Sequence, residues 1–166
     1  MIYLKRLSLS DKDNIQVYEM LQEILPDDNG FHNMAYGIPF GDYQKWLVNE
    51  FEVDSGKLEE WMVPQSSCWL YDDNSLIGYG RVRHFLNEHL RKTSGHIGYA
   101  IRKSKRGMGY GNILLKLLLD ECKNLGIFEI QISTNKDNIS SNKIIKNNGG
   151  IFLKDINNKS FYKITL

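Results

Sequence analysis

Hydrophobic and polar residues follow one another along the chain in two kinds of pattern, which predict alternating strands and helices. Period-two alternation in "IYLKRL" predicts a first strand, and helical spacing after Ser10 or Asp11, either of which can cap a helix, predicts a first helix. A second helix is predicted in "GDYQKWLVNEFEVDSG". Two apolar runs joined at "DDNS" then predict a hairpin, and "GHIGYAIR" predicts a fourth strand.

Helices and strands alternate in the second half of the chain. A glycine-rich turn precedes a helix predicted from about Asn112 to Leu125, with Leu114, Leu117, Leu118, Cys122 and Leu125 on one stripe. The strand "FEIQIST", a helix in "NISSNKIIKNNGG" and the strands "IFLKDI" and "SFYKITL" follow. The strand, helix and strand around the glycine turn predict a βαβ crossover with parallel strands. We therefore predict a mixed α/β fold with a central mixed sheet of about seven strands flanked by about four helices.

Two segments are predicted to be connections. Residues 26–40 combine turn formers with apolar residues, and Phe31, His32 and Tyr36 there are candidates for the wall of a pocket. The polar stretch "NEHLRKTSG" is predicted to join the hairpin to the fourth strand.

Length and composition favour one domain, residues 1–166, with ordinary globular proportions of 42% hydrophobic and 25% charged residues. Lys and Arg number 21 against 20 Asp and Glu, and the absence of a basic stripe disfavours nucleic-acid binding. No apolar run approaches the roughly 18 residues of a membrane span, and the N-terminus does not resemble a signal peptide. We therefore expect no membrane association.

The two cysteines, Cys68 and Cys122, lie in apolar runs, which is typical of buried, reduced thiols. This predicts a cytoplasmic setting and argues against a cysteine nucleophile. His84 and His89 are five residues apart with no His-Glu-x-x-His pattern, and neither cysteine has a close ligand partner. No metal site is predicted.

Three glycines between Gly107 and Gly111 directly precede the leucine-rich helix, although glycine is a poor helix former. One interpretation is an anion-binding turn, in which unpaired helix N–H groups and the charges of Lys105 and Arg106 hold a phosphate. The other interpretation is a tight turn with no ligand. The dinucleotide-binding fingerprint fails at Asn112, and the P-loop pattern fails because no Gly-Lys-Ser/Thr follows.

The turn from Arg106 to Gly111 reads Arg-x-x-Gly-x-Gly, follows a predicted strand and opens a helix; the next strand is followed by "NISS". In this order, residues from about Ser94 to Phe152 resemble the GNAT superfamily of acetyl-CoA-dependent N-acetyltransferases. The predicted order of elements fits the fold of that superfamily along the whole chain. The resemblance implies an acyltransferase that uses acetyl-CoA as cosubstrate.

The resemblance implies cofactor contacts at particular residues. Backbone amides of the turn would hold the pyrophosphate of coenzyme A, and Arg106 would hold the turn in place. The end of the fourth strand would pair with the pantetheine arm like an added strand, and Asn138 matches an asparagine that contacts the cofactor. The implied cofactor residues are Tyr99, Ala100, Ile101, Arg106, Gly107, Met108, Gly109, Tyr110, Gly111, Asn112 and Asn138.

The general acid expected from the resemblance is missing. The family often shows Asn-x-x-Ala-x-x-x-Tyr, in which the tyrosine protonates the departing thiolate, but Ile145 stands at the tyrosine position. Ser141 occupies the alanine position and is a candidate acid by placement. Its alternative role is that of a small helix residue packed against the cofactor.

The general base is also open. Some members of the family carry a base at the strand position that is Gly95 here, and others use water. His96 is adjacent but alternates to the other face of the strand, and Glu88, His84 and His89 lie just upstream. Glu88 and His96 are our candidate bases because either can accept a proton from an amine; a structural role is the alternative for each.

The resulting prediction is direct transfer of an acetyl group from acetyl-CoA to a primary amine of a small molecule or peptide. The competing hypothesis is a catalytically silent sensor of acetyl-CoA or coenzyme A, motivated by Gly95 and Ile145 at the two catalytic positions. A nucleotide-binding protein that uses the same turn is a further alternative. The resemblance also implies a homodimer as a common assembly.

Overall fold

The computed structural model describes all 166 residues and has nine strands and five α-helices, so the mixed α/β class is confirmed. Two 3₁₀ turns, Leu9–Asp13 and Lys103–Lys105, add to these elements. None of the helices is both long and apolar enough to cross a membrane. In chain order the elements are β1 Ile2–Arg6, α1 Ile15–Leu21, β2 Asp27–Asp28, β3 Phe31–His32, α2 Phe40–Asp54, β4 Gln65–Asp72, β5 Ser75–Arg83, α3 Glu88–Thr93, β6 Ile97–Ile101, α4 Tyr110–Asn124, β7 Glu129–Asn135, α5 Ile139–Asn147, β8 Ile151–Ile156 and β9 Lys159–Thr165.

The strands form two larger sheets and one short hairpin rather than the one central sheet of about seven strands that the sequence predicts. Four antiparallel strands lie in the order β1-β4-β5-β6, and three lie in the order β7-β9-β8. The two sheets meet where β6 and β7 begin: the His96 N–H donates to the Gln131 carbonyl at 2.8 Å, and the Gln131 N–H donates to His96 Nδ1 at 3.0 Å. Beyond this point no ladder joins β6 to β7, so a gap opens between them.

The sheets touch closely at Gly95, the residue before His96. A Cβ atom added there would lie 2.4 Å from the Gln131 carbonyl oxygen and 2.8 Å from the Ile132 Cα, both of them backbone atoms. Because backbone cannot swing aside as a side chain can, only glycine allows the two chains to approach this far. This contact explains why no base can stand at this position of the strand.

Helices cover both faces of the four-stranded sheet. On one face, α4 packs between the two sheets through Leu114, Leu118 and their neighbours, in a core shared with Ile132 of β7. On the other face, α1 buries Val17 and Met20, and α2 buries Tyr43 and Leu47, in a core shared with β4 and β5. Each fully buried large side chain contributes about 1.5–3 kcal/mol of transfer free energy, so these two cores hold the sheets in position.

The predicted helix after the glycine turn is correct in kind, with small differences in extent. It begins at Tyr110 rather than Asn112 and ends at Asn124. Its buried residues are Leu114, Leu115, Leu118, Leu119 and Cys122. Leu117 and Leu125, which were predicted to lie on the apolar stripe, are only partly buried, because Leu117 lies to one side of the buried stripe and Leu125 is the C-cap residue after the last helical turn.

The first helix begins later than predicted. Ser8 caps the 3₁₀ turn, and Asn14 caps α1 by accepting the Gln16 N–H at 3.0 Å. Asp11 is not the helix cap because its buried carboxylate is used elsewhere: it accepts from Trp69 Nε1 at 3.1 Å and from Lys5 Nζ at 2.8 Å.

Both predicted connections contain short regular elements. Residues 26–40 include the hairpin β2–β3, which turns at Asn29 and Gly30 with φ of 51° and 91°. The stretch "NEHLRKTSG" contains α3, which begins where the Asn87 side chain accepts the Leu90 N–H at 2.9 Å.

Replacing Gly95 should strain the junction between the sheets. We expect Gly95→Ala to lower the free energy of unfolding by about 1–3 kcal/mol, as overpacking does in other cores. Gly98→Ala is the matched control, since its Cβ would lie 3.4 Å from a movable ring carbon of Phe31. Urea unfolding measures both; equal stability of the two variants would contradict the close backbone contact.

Candidate functional site

The gap between β6 and β7 forms a cleft of about 480 Å³. Its walls come from the β2–β3 hairpin, β5, β6, the glycine turn, β7 and α5. Met108, a predicted cofactor residue, is exposed and lies outside the lining. The other predicted cofactor residues and Ser141 are brought together: Tyr99, Ala100, Ile101, Arg106, Gly107, Gly109, Tyr110, Gly111, Asn112, Asn138 and Ser141 all line the cleft.

The glycine turn presents unpaired amides to this cleft. Gly107 and Gly109 adopt the left-handed region, with φ of 77° and 84°, and no atom lies within 4 Å of a Cβ added at either. The N–H groups from Gly107 to Gly111 donate to no oxygen of the protein. Together with the positive end of the α4 dipole, these donors form a site suited to an anion such as a phosphate.

Arg106 holds the turn against its surroundings. Its Nε donates to the Ile101 carbonyl at 2.9 Å, and its guanidinium forms an ion pair with the Asp28 carboxylate. The Asp28 side chain is only 7% exposed, so this pair is shielded on the carboxylate side. The turn is therefore fixed both to the end of β6 and to the β2–β3 hairpin.

One edge of β6 is free. The other edge pairs with β5, with Tyr99 opposite Gly80 and Ile101 opposite Gly78. Because β7 diverges after the junction, the outward N–H and C=O groups of β6 face the cleft without a strand partner. An extended ligand can pair with such an edge as an added strand would.

Two side chains meet across the cleft. The Tyr99 hydroxyl and Ser141 Oγ are 2.9 Å apart, which joins β6 to the first turn of α5. Asn138 caps α5, and its side-chain oxygen accepts the Ser141 N–H at 3.1 Å. The asparagine, the serine and the tyrosine thus form one connected group.

The Tyr99 hydroxyl is protonated at neutral pH, as a general acid must be. Burial raises its pKa to about 12, although the hydrogen bond with Ser141 acts in the opposite direction. The phenol therefore keeps its proton far above neutral pH and can donate it. Tyr99 was predicted to contact the cofactor through its backbone alone. Alternation along β6 places its side chain on the same face as those of Ile97 and Ile101, and this pattern could have indicated that the phenol lies in the cleft.

Ile145, at the position of the family's tyrosine, faces away from this chemistry. It is fully buried in the core between the sheets and lies one helical turn after Ser141. The phenol in the cleft therefore comes from Tyr99 on β6 and not from α5.

The two candidate bases do not line the cleft. Glu88 is 84% exposed on α3 and pairs with Lys92 at 2.7 Å. His96 is occupied at the junction, where Nδ1 accepts the Gln131 N–H, and burial lowers its pKa. Of the loop residues, Phe31 and His32 line the cleft whereas Tyr36 does not.

His84 belongs to a different polar cluster, outside the lining of the cleft. Its Nε2 lies 2.8 Å from Ser66 Oγ and 3.5 Å from an Asp54 carboxylate oxygen. A hydrolytic triad needs the carboxylate on the opposite ring nitrogen, but here both contacts use Nε2 and Ser66 is fully buried. The cluster is therefore structural.

The cysteines are poor nucleophiles in this fold. Burial raises the pKa of Cys68 and of Cys122 to about 12, so both remain thiols at neutral pH. Neither lines the cleft. No group of three or more His, Cys, Asp or Glu side chains is placed to hold a metal ion.

Several solved structures share this fold at low sequence identity. RimL, a ribosomal alpha-N-protein acetyltransferase in complex with coenzyme A, is 14% identical with a TM-score of 0.72, and the alignment covers 99% of this chain and 94% of that one. The self immunity acetyltransferase MccE, in complex with acetyl-CoA and AMP, is 13% identical with a TM-score of 0.69 over 99% and 92%. PseH of Campylobacter jejuni, an N-acetyltransferase in complex with acetyl coenzyme A, is 14% identical with a TM-score of 0.64 over 99% of both chains.

No curated protein matches the sequence. The model of the acetyltransferase (GNAT) family, however, matches residues 16–149, which is well over half of the chain. This range contains the β2–β3 hairpin, the glycine turn and α5, and every residue that lines the cleft except Lys159, the first residue of β9. The chain belongs to the GNAT family of acetyltransferases.

Proposed function

We propose that this protein is an N-acetyltransferase that moves an acetyl group from acetyl-CoA directly to a primary amine of a small molecule or peptide. The observation that carries the proposal is the row of unpaired amides from Gly107 to Gly111, which opens on a cleft beside the free edge of β6. Its family and its fold neighbours support acetyl transfer in general. The whole chain, residues 1–166, acts as one catalytic domain in this proposal.

Each part of the cleft receives one part of acetyl-CoA. The pyrophosphate binds the amides of the turn, where the helix dipole favours negative charge. The pantetheine arm lies along β6 from Tyr99 to Ile101 and pairs with its free edge. Asn138 reaches the cofactor with its side-chain amide, which has donors to spare because only its oxygen caps α5.

The reaction requires one bond to form and one to break. The amine nitrogen attacks the acetyl carbon, a main-chain N–H of β6 stabilises the resulting oxyanion by about 3 kcal/mol, and the carbon–sulfur bond then breaks. Tyr99, supported by Ser141, gives its proton to the departing thiolate. Since neither Glu88 nor His96 lines the cleft, the ammonium loses one proton to water before attack. The nitrogen of the adduct gives up its second proton as the amide forms, and this proton returns Tyr99 from phenolate to phenol.

A catalytically silent sensor is the second hypothesis, because Gly95 has no side chain and Ile145 is buried. The contact between Tyr99 and Ser141 favours the enzyme, since a sensor needs no protonated phenol in the cleft. We further propose a cytoplasmic setting, in keeping with two buried free thiols, and no nucleic-acid or membrane partner.

Binding and turnover test the proposed function together. Calorimetric titration should show micromolar binding of acetyl-CoA in preference to ATP or NAD, and thiol release should exceed background with at least one amine of a broad panel. Gly109→Glu should abolish binding by bulk and like charge at the turn. Gly126→Glu is the matched control, since Gly126 has a similar φ of 75° and equally open space, at the other end of α4.

Each alternative outcome has a distinct meaning. Binding without release of thiol for any amine would favour the sensor. Tighter binding of ATP or NAD than of acetyl-CoA would favour a nucleotide-binding protein. Unchanged binding in a folded Gly109→Glu variant would exclude the turn as the pyrophosphate site.

Tyr99 should matter for turnover rather than for binding. We expect Tyr99→Phe to lower kcat by about 100-fold, at the low end of general acid catalysis, with little change in the KM for acetyl-CoA. Because the pKa of Tyr99 is raised to about 12, kcat should show no alkaline loss of this acid until the pH approaches that value. Stopped assays across pH measure both effects.

Ser141→Ala provides the comparison for this experiment. It removes the hydrogen-bond partner but not the phenol, so we expect a smaller loss of kcat than in Tyr99→Phe. A larger loss in Ser141→Ala would identify the serine as the acid instead.

We also propose that two copies associate through β8. This strand is the outer strand of its sheet and exposes Ile151, Phe152 and Leu153, which are 70%, 52% and 50% exposed. Light scattering should give twice the 19.3 kDa mass of one chain. Ile151→Lys should shift the mass toward a monomer and Ile15→Lys, on α1, which packs on the four-stranded sheet, should not. A monomeric parent protein would exclude the dimer.

A further inference from the structure

The end of the cleft away from the glycine turn is lined by arginines. Arg81 of β5 pairs with Gly98, and the Arg83 N–H donates to the His96 carbonyl at 2.7 Å. Gly98 lies three residues before Ile101, where β6 leads into the glycine turn. At about 3.3 Å per residue along a strand, Arg81 is therefore roughly 10 Å from that end of β6. An acceptor amine that approaches an acetyl group held along β6 must occupy this end.

The guanidinium of Arg81 is held in place before any ligand binds. It lies over the rings of Phe31 and Tyr79, with its central carbon 4.6 Å and 4.7 Å from the ring centres. Its Nε donates to the Tyr79 hydroxyl at 2.9 Å. The two terminal nitrogens form no hydrogen bond or salt bridge within the protein, so their donors remain available to the cleft.

Arg83 adds a second positive charge beside it. One terminal nitrogen donates to the Gly95 carbonyl at 2.8 Å, and the group pairs with no carboxylate. Arg81 and Arg83 line the same cleft, and burial and then the charge of Arg81 lower the pKa of Arg83. Lys159, whose Nζ donates to the Thr93 carbonyl at 3.0 Å, lines the same cleft.

The protein does not neutralise this charge from within the cleft. Asp28, the one carboxylate in the lining, is paired with Arg106 at the turn. Glu50 is outside the lining and accepts from Ser67 at 3.2 Å and from Tyr79 at 3.4 Å. Burial acts to lower the pKa of Arg81, and Tyr79 and then the charge of Glu50 raise it, but Glu50 forms no salt bridge with Arg81. Partly buried guanidinium groups without a carboxylate partner are costly unless a ligand supplies the opposite charge.

We propose that the acceptor is a small amine that also carries a carboxylate or phosphate group, and that Arg81 and Arg83 bind this anionic group. The inference rests on the proposed acetyl transfer, since it names the class of acceptor for the same cleft. Guanidinium groups match carboxylate and phosphate oxygens in bidentate geometry. Acceptors with only positive charge, such as alkyl diamines, are repelled by the same residues.

Pairs of amines that differ only in the anionic group test the proposal. One arm compares amino acids with their carboxamides, and the other compares aminoalkyl phosphates with the corresponding amino alcohols. The anionic member of at least one arm should have a KM at least tenfold lower than its neutral partner. The arm in which this occurs identifies carboxylate or phosphate as the group recognised.

Substitutions of the two arginines test whether these residues cause the preference for anionic acceptors. Arg81→Gln should raise the KM for the anionic acceptor at least tenfold and change the KM for acetyl-CoA by less than twofold; Arg83→Gln should act in the same direction. Arg91→Gln removes an exposed arginine on α3, outside the cleft, and should change neither constant. Urea unfolding checks that Arg81→Gln remains folded despite the lost contact with Phe31.

Failure of this inference and failure of the proposed function give different results. Turnover of neutral and anionic amines with equal KM would overturn the inference while acetyl transfer stands. Thiol release from no amine would defeat the proposed function, and calorimetric titration with the anionic amines would then decide the inference. Binding that is lost in Arg81→Gln would support it, and binding that is unchanged there, or absent in the parent protein, would overturn it.

Discussion

The cleft depends on the contact between Gly95 and Gln131, where two backbones touch and the sheets are held together. Gln131 makes four hydrogen bonds there: two with His96, and two from its side-chain amide to the carbonyls of Arg91 and Ser94. Beyond this point β6 and β7 separate, because no ladder joins them. The free edge of β6, the facing residues of α5 and the space between them all exist because the sheets are closed at one end only.

Much of the fold could be predicted from the sequence because its long elements have strong periodicity. The leucine stripe of α4, the apolar runs of β4 and β5 and the alternation in β7 indicate both type and order. The division of the sheet could not be predicted, since it depends on one glycine and on the divergence of backbones that lie far apart in the chain. The short helix α3 could not be predicted because six residues carry little periodicity, whereas Asn29 and Gly30 are a hairpin signal within the segment predicted to be a connection.

Some residues of the site could likewise be predicted from local sequence, and others depend on tertiary structure. The residues of the glycine turn lie within one short stretch of sequence, and so do the residues around the cap of α5. A sequence motif can therefore identify each of them. The contact between Tyr99 and Ser141 spans 42 positions and needs the register of β6 against α5. Arg81 requires even more, because its setting depends on a ring from the β2–β3 hairpin and another from its own strand. Local pattern therefore identifies where an anion can bind, and tertiary structure determines what stands opposite it.

The β2–β3 hairpin belongs to both ends of the cleft. Asp28 on one strand holds Arg106 at the turn, and Phe31, its partner on the other strand, lies under Arg81. One four-residue turn, from Asp28 to Phe31, therefore sets the positions of both ends of the cleft relative to each other. A substitution that displaces this short ribbon would disturb the glycine turn and the setting of Arg81 together.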